Sequence, residues 1–125
     1  MNWTLHLHDE PLAVVATDEP LPETGPIRAE LVTAKGRTLV LPYEAAAGLE
    51  TVEGPFRALE VRGPLEFSLT GVLAELLNPL ARAEISVFTL STFDTDWILV
   101  PAAAAESARA ALTAEGHTVH PEEFA

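Results

Sequence analysis

The sequence predicts an α+β fold in which an antiparallel sheet carries helices on one face. Three observations predict it. The second half of the chain alternates strand-like and helix-like stretches in the order β-α-β-β-α-β, the split βαβ or ferredoxin-like arrangement. A single stretch there carries a strong helical apolar face. A short pattern recurs 59 residues later, so the same element order is used twice. The 125 residues fit one compact domain or two half-size repeats sharing a core.

Taken in order, Trp3 to His8 alternates apolar and polar residues and reads as a strand. Asp9-Glu10-Pro11 is a turn, and Leu12 to Ala16 is a short β-branched strand. Residues 18–26 hold Pro20, Pro22, Gly25 and Pro26, which exclude a long helix. Strands Ile27–Thr33 and Thr38–Leu41 flank the hairpin turn Ala34-Lys35-Gly36-Arg37. Pro42 to Ala47 is a short helix stopped by Gly48. Thr51-Val52 is a weak strand, and Gly54-Pro55 breaks the chain.

Phe56 to Arg62 is the next strand. Leu69, Val72, Leu73, Leu76, Leu77 and Leu80 then fall on one helical face, predicting a helix from Leu69 to Ala83 with Ser68 as its cap. Pro79 kinks that helix or tightens its last turn, because it cannot bond back to Glu75. Ile85–Leu90 reads as a strand buried on both faces, Phe93–Asp96 as a turn and Trp97–Val100 as a strand. Pro101 opens an alanine-rich helix that runs through Ala114 and is closed by Gly116. His117–Val119 is the last strand, and the polar tail is expected to fray.

At a shift of 59 residues, Leu31-Val32-Thr33 lies on Leu90-Ser91-Thr92, and Leu39-Val40-Leu41-Pro42 lies on Ile98-Leu99-Val100-Pro101. Upstream, Leu12–Ala16 matches Leu59–Arg62 only if the first copy is shorter by about a dozen residues, three to four helical turns. The missing piece is the Leu69 helix, whose place is taken by the proline-rich stretch. The expected organisation is a degenerate first repeat at residues 1–55 and an intact second repeat at 56–125, pairing into a shared sheet of about eight strands.

The charge balance narrows the partners. Seven basic and nineteen acidic residues give a formal charge of -12, which repels phosphate backbones and anionic membranes alike. Hydrophobic residues make up 48% of the chain, well above the range of disordered proteins. The absence of cysteine removes disulfides, thiol nucleophiles and thiolate zinc sites. No apolar run reaches membrane-spanning length, and the N-terminus lacks a basic leader, so the expected location is cytoplasmic.

The stretch GPLEFSLTGVLA from Gly63, followed by PLARAEISVF and then LSTFDTDWILV, resembles the small bacterial proteins with tandem ACT domains. These are related to the ACT domains of CASTOR-type arginine sensors. The resemblance covers residues 56–119; the first half shares only strand order and the Leu39–Pro42 block. It implies a regulatory, non-catalytic fold that binds an amino acid or similar small molecule. The implied ligand site lies where the first helix begins, against the second strand and often at an interface between ACT units. Carried onto this sequence, the site comprises Leu69, Thr70, Gly71 and Val72, with Ile85, Ser86, Val87 and Phe88, and with Thr92, Phe93, Asp94, Thr95 and Asp96.

The residues themselves leave alternatives open. Gly71 allows a ligand to approach the free N–H groups of a helix start, or simply lets helix and sheet pack closely. Asp94 and Asp96 stand where the first repeat carries Lys35 and Arg37, a reversal no generic turn requires. They meet a ligand ammonium, pair with those cations across the repeat, or are solvated turn charges. His6 and His8 share a strand face, with His117 and His120 elsewhere, but spacing places no third ligand. Surface histidines, with no metal and no cofactor, are therefore expected. No Ser elbow, phosphate loop or isolated carboxylate pair marks a catalytic centre, and Glu75 and Glu84 read as solvation. Trp97 reads as core. The expected function is an amino-acid-binding regulatory module, a homodimer with no nucleic-acid or membrane partner. The alternative is an interaction domain that oligomerises through its sheet or helices.

Overall fold

In a computed structural model, residues 2–18, 27–65 and 70–121 are described. Eight strands, two α-helices and two 3-10 turns lie among them. The strands are β1 (Thr4–Leu7), β2 (Leu12–Thr17), β3 (Ala29–Thr33), β4 (Gly36–Pro42), β5 (Val52–Val61), β6 (Phe88–Ser91), β7 (Asp96–Pro101) and β8 (Thr118–His120). Helix α1 is Val72–Arg82 and α2 is Ala105–Ala114. No described helix is long and apolar enough to cross a membrane.

The chain folds as two compact units, Glu10–Phe56 and Met1–Asp9 with Arg57–Ala125. The first nine residues belong to the same unit as the C-terminal half. β1 pairs antiparallel with β5 and parallel with β8, so it sits between them. Nothing local in Trp3–His8 reports this, because strand partners are chosen by long-range register.

In the unit formed by Glu10–Phe56, the strand order is β3-β4-β2-β5. That is the ferredoxin-like order without a helix between β2 and β3 among the described residues. The proline-rich stretch falls mainly on residues 19–26, outside the described residues. Alternation places Ala13, Val15, Leu39 and Leu41 on one face, where they bury against Ala46, Leu49 and Val52. The short helix expected at Pro42–Ala47 is a 3-10 turn, Tyr43–Ala46, followed by Gly48 at φ +86°.

The expected break at Gly54-Pro55 does not occur. β5 continues through it, and the register with β2 steps from Val14↔Glu53 to Leu12↔Phe56, leaving one extra residue on β5. A bulge is where a strand accommodates Gly and Pro. Gly54 is also required for space: a Cβ there would lie 2.9 Å from the Leu12 carbonyl oxygen. The part of β5 in this unit pairs with β2, and residues 57–61 pair in the other unit.

In that other unit the strands run β8-β1-β5-β7-β6, with α1 and α2 on one face. Leu5, Leu7, Leu59, Val61, Ile98, Val100 and Val119 point to that face and meet Val72, Leu76 and Leu80 of α1. Ala105, Ala108 and Leu112 bring α2 onto the same core, the two alanines allowing close approach. Helix α1 starts at Val72 rather than Leu69, with Gly71 at its N-cap; Ser68 and Leu69 lie outside the described residues. Pro79 is buried one turn before the end, and its carbonyl accepts from the Ala83 N–H at 3.1 Å.

Two expectations about the sheet need correction. β6 begins at Phe88, not Ile85, and its residues are alternately half-buried and exposed rather than buried on both faces. It pairs only with β7 among the described strands, so it is an edge. Trp97 is half-buried and lies outside the core beneath the helices; its ring stacks on His8.

Candidate functional site

The two hairpins expose the repeat at atomic detail. Thr92 Oγ1 accepts from the N–H groups of Asp94 (3.2 Å) and Thr95 (3.1 Å) and donates to the Thr95 carbonyl at 3.3 Å. At the equivalent turn, Thr33 Oγ1 accepts from the Lys35 N–H at 3.2 Å and donates to the Gly36 carbonyl at 3.3 Å. Pro42 and Pro101 then end their strands at φ -53°, ψ 136° and φ -52°, ψ 135°, each opening a 3-10 turn. The threonine closes the turn locally and the proline pre-sets φ, so matching residues give matching backbones.

The C-terminal hairpin is docked on the end of β5. Thr95 Oγ1 donates to the Val61 carbonyl at 2.6 Å in a buried hydrogen bond, and the Leu65 N–H donates to the Asp94 carbonyl at 2.7 Å. Gly63 permits this approach, since a Cβ there would lie 3.0 Å from the Asp94 oxygen. Val61 and Leu65 are thus held against the β6–β7 turn.

Within these halves the expected residues have different surroundings. Thr70 and Gly71 are exposed, Val72 is buried under α1, and Leu69 lies outside the described residues. Gly71 adopts φ +84°, ψ -7°, and its carbonyl accepts from the Glu75 N–H at 3.0 Å. No side chain of the described residues caps the helix start, so none of them satisfies the first amides of α1 as a cap. Ile85 to Val87 lie between α1 and β6, which Phe88 opens; Ile85 packs on the core, while Ser86 and Val87 are exposed.

The hairpin acids divide. Asp96 accepts a 2.6 Å hydrogen bond from Ser91 Oγ across the β6–β7 pair. Asp94 projects its carboxylate into solvent, with no ion pair or side-chain hydrogen bond among the described residues. The matching Arg37 pairs with Glu30 at 2.6 Å across its own hairpin.

Two further features were not expected. The Glu10–Phe56 unit has an open polar groove of about 760 Å³, bordered by Asp18, Lys35, Arg37 and Glu50 among others. On the sheet face away from the helices, Glu60 joins His6 and His8. Sequence spacing signals the His-x-His half, but Glu60 enters through the β1–β5 register, His6↔Glu60.

Comparison with known proteins settles the family. A family profile described as ACT domain matches residues 51–114, just over half the chain. The chain belongs to the ACT domain family. An ACT domain is in general a regulatory amino-acid-binding module, and the mixed sheet with two helices is its fold. Over 47 residues the chain is 43% identical to cytosolic arginine sensor for mTORC1 subunit 1 from Bos taurus and Homo sapiens. That match covers 37% of this ACT protein and 14% of the length of those sensors. A crystal structure from Agrobacterium tumefaciens superposes with a TM-score of 0.86 at 22% identity, covering 99% of this chain and 96% of that one. The regulatory subunit of aspartate kinase from Thermus flavus superposes at 0.61 with 13% identity, covering 92% and 97%. At these identities the superpositions establish the fold alone.

Proposed function

We propose that this chain is a non-catalytic regulatory module that binds an α-amino acid between the start of α1 and the β6–β7 hairpin, and that it acts as a homodimer. The observation that carries the reading is the docking of the hairpin on the end of β5 and on Leu65, which leaves the Asp94 carboxylate solvent-facing and without a side-chain partner among the described residues. In this reading the ligand carboxylate takes the uncapped amides at the start of α1, where the helix dipole favours an anion. Asp94 takes the ammonium, or a cationic side chain. Gly71, lacking a Cβ and left-handed, leaves the approach open.

The first repeat carries Lys35 where the second carries Asp94, so one such site is proposed per chain. Regulation then requires that the ligand bind two states of the module, or of its dimer, with different affinity. Arginine is the first amino acid to test, because the 47-residue match is to proteins named as arginine sensors and the chain is strongly acidic. The test is thermal unfolding against the common amino acids at millimolar concentration. A ligand present at 100 times its dissociation constant stabilises by about 2.7 kcal/mol. One amino acid, or one chemical group of them, is expected to raise the Tm; no shift across the panel contradicts the reading.

The interaction-domain reading draws on β3. This edge strand exposes Leu31 and Val32 at 64% and 65%, and edges of this kind pair with further strands. Leu31→Lys separates the two: loss of the dimer with amino-acid binding retained assigns β3 to assembly alone.

A further inference from the structure

We propose that His6, His8 and Glu60 form a binding site for one divalent transition-metal ion, on the sheet face opposite the helices. Three levels of structure build it. Alternation along β1 sends Leu5 and Leu7 into the core beneath α1 and α2, and so turns His6 and His8 to the other face. The antiparallel register with β5 sets Glu60 directly opposite His6. The donor atoms of the three side chains then lie within 4.8 Å of one another.

The surroundings hold these donors in place. His6 is 5% exposed, and its ring centroid is 3.8 Å from that of His8. His8 also stacks on Trp97, centroids 4.7 Å apart and planes within 23°. Arg57 Nε donates to the His8 carbonyl at 3.0 Å, fixing the backbone at the end of β1. His8 Nε2 and Glu60 Oε1 share a hydrogen bond at 2.9 Å. A metal with ligand bonds of about 2.0–2.2 Å would replace the shared proton, pushing these two atoms slightly apart and drawing His6 in. The half-exposed Glu60 side chain can make that adjustment, and the strands need not move.

The donor set selects the ion. Two imidazoles and one carboxylate suit zinc and its first-row neighbours, whereas magnesium and calcium prefer all-oxygen sites. Three protein ligands leave an open position, and the partial exposure of His8 and Glu60, at 27% and 26%, gives it access to solvent. A fourth donor from water or from a small ligand completes the shell. His120 lies beside His6 in the parallel β1–β8 register, with its ring outside the 4.8 Å group.

The experiment uses the untagged full chain, stripped with a chelator. Zinc titration by calorimetry is expected to give one equivalent bound, with affinity reduced about tenfold or more in His8→Ala and Glu60→Gln. These two positions are half-exposed, so the variants test binding without opening the core at His6. Copper quenching of tryptophan fluorescence provides a second reading. In a Trp3→Phe background Trp97 is the remaining tryptophan, and its emission is expected to fall on copper addition and to be insensitive in the His8→Ala variant. Absence of binding by the wild-type chain overturns the proposal, leaving a hydrogen-bonded cluster without metal. Zinc binding of unchanged affinity in both variants also overturns it, by placing the ion among other acids.

Discussion

The Thr95 hydroxyl donates a 2.6 Å hydrogen bond to the carbonyl of Val61, across a separation of 34 residues. It is a side chain of a turn reaching the last residue of a strand in another part of the sheet. Together with the Leu65–Asp94 backbone bond, it sets the hairpin against the end of β5 and the residues just after it. Thr95→Val keeps the shape and removes the donor, and the expected cost is about 1–2 kcal/mol. Urea unfolding measures it; an unchanged midpoint contradicts the assignment of this bond as the hairpin's anchor.

Gly71 occupies a left-handed conformation with no described residue near the position of a Cβ. Substitution there is resisted by backbone strain alone. Gly71→Ala is expected to destabilise by about 1–2 kcal/mol, and Gly71→Asn by less, because Asn tolerates positive φ. Equal stability of wild type and Gly71→Ala, measured by thermal unfolding, would show that α1 begins differently.

Thr33 and Thr92 make the same turn-closing hydrogen bonds in the two hairpins. Thr33→Ala and Thr92→Ala are therefore expected to weaken their own hairpins to a similar degree, about 1 kcal/mol each. Amide hydrogen exchange reads the effect locally. Faster exchange in β3–β4 for the first variant and in β6–β7 for the second is expected; a change in only one of them breaks the equivalence of the repeats.

What the sequence disclosed depended on how locally each feature is determined. The hairpin turns and the Pro42 and Pro101 strand ends rest on a few neighbouring residues, so the shift of 59 found them both. The helices followed from periodicity, although α1 starts three residues later than its apolar face suggests, after Gly71. The position of β1 between β5 and β8 depends on pairing with residues about 55 and 114 positions away, and no local pattern carries that. Gly54-Pro55 looked like a break because both residues punctuate chains; a bulge opposite Leu12–Val14 absorbs them. Ile85–Leu90 read as a strand buried on both faces, yet of these residues only Ile85 packs on the core. At the candidate site, the identities of Asp94 and Thr95 were legible, while their division of labour was not. Thr95 turns inward to Val61, Asp96 is engaged by Ser91, and Asp94 faces solvent.

That division predicts how the acids respond to substitution. Asp94→Ala is expected to leave stability within about 0.5 kcal/mol of wild type, because its side chain has no partner among the described residues. Its amino-acid affinity is expected to fall about tenfold or more, the scale of a hydrogen bond to a charged group. Asp96→Ala loses the Ser91 bond and is expected to affect stability more than affinity. Calorimetric titration and thermal unfolding of both variants separate the two roles.

The central claim is the location of an amino-acid site at the start of α1 and the β6–β7 turn, and amide chemical-shift mapping tests it most directly. The chain is titrated with the amino acid that most raises its Tm, beginning with arginine. The account predicts the largest shifts at Gly71, Val72, Asp94 and Thr95, with Lys35 and Gly36 of the matching hairpin much less affected. Shifts centred on the first repeat, or no shifts with any amino acid at millimolar concentration, would contradict it.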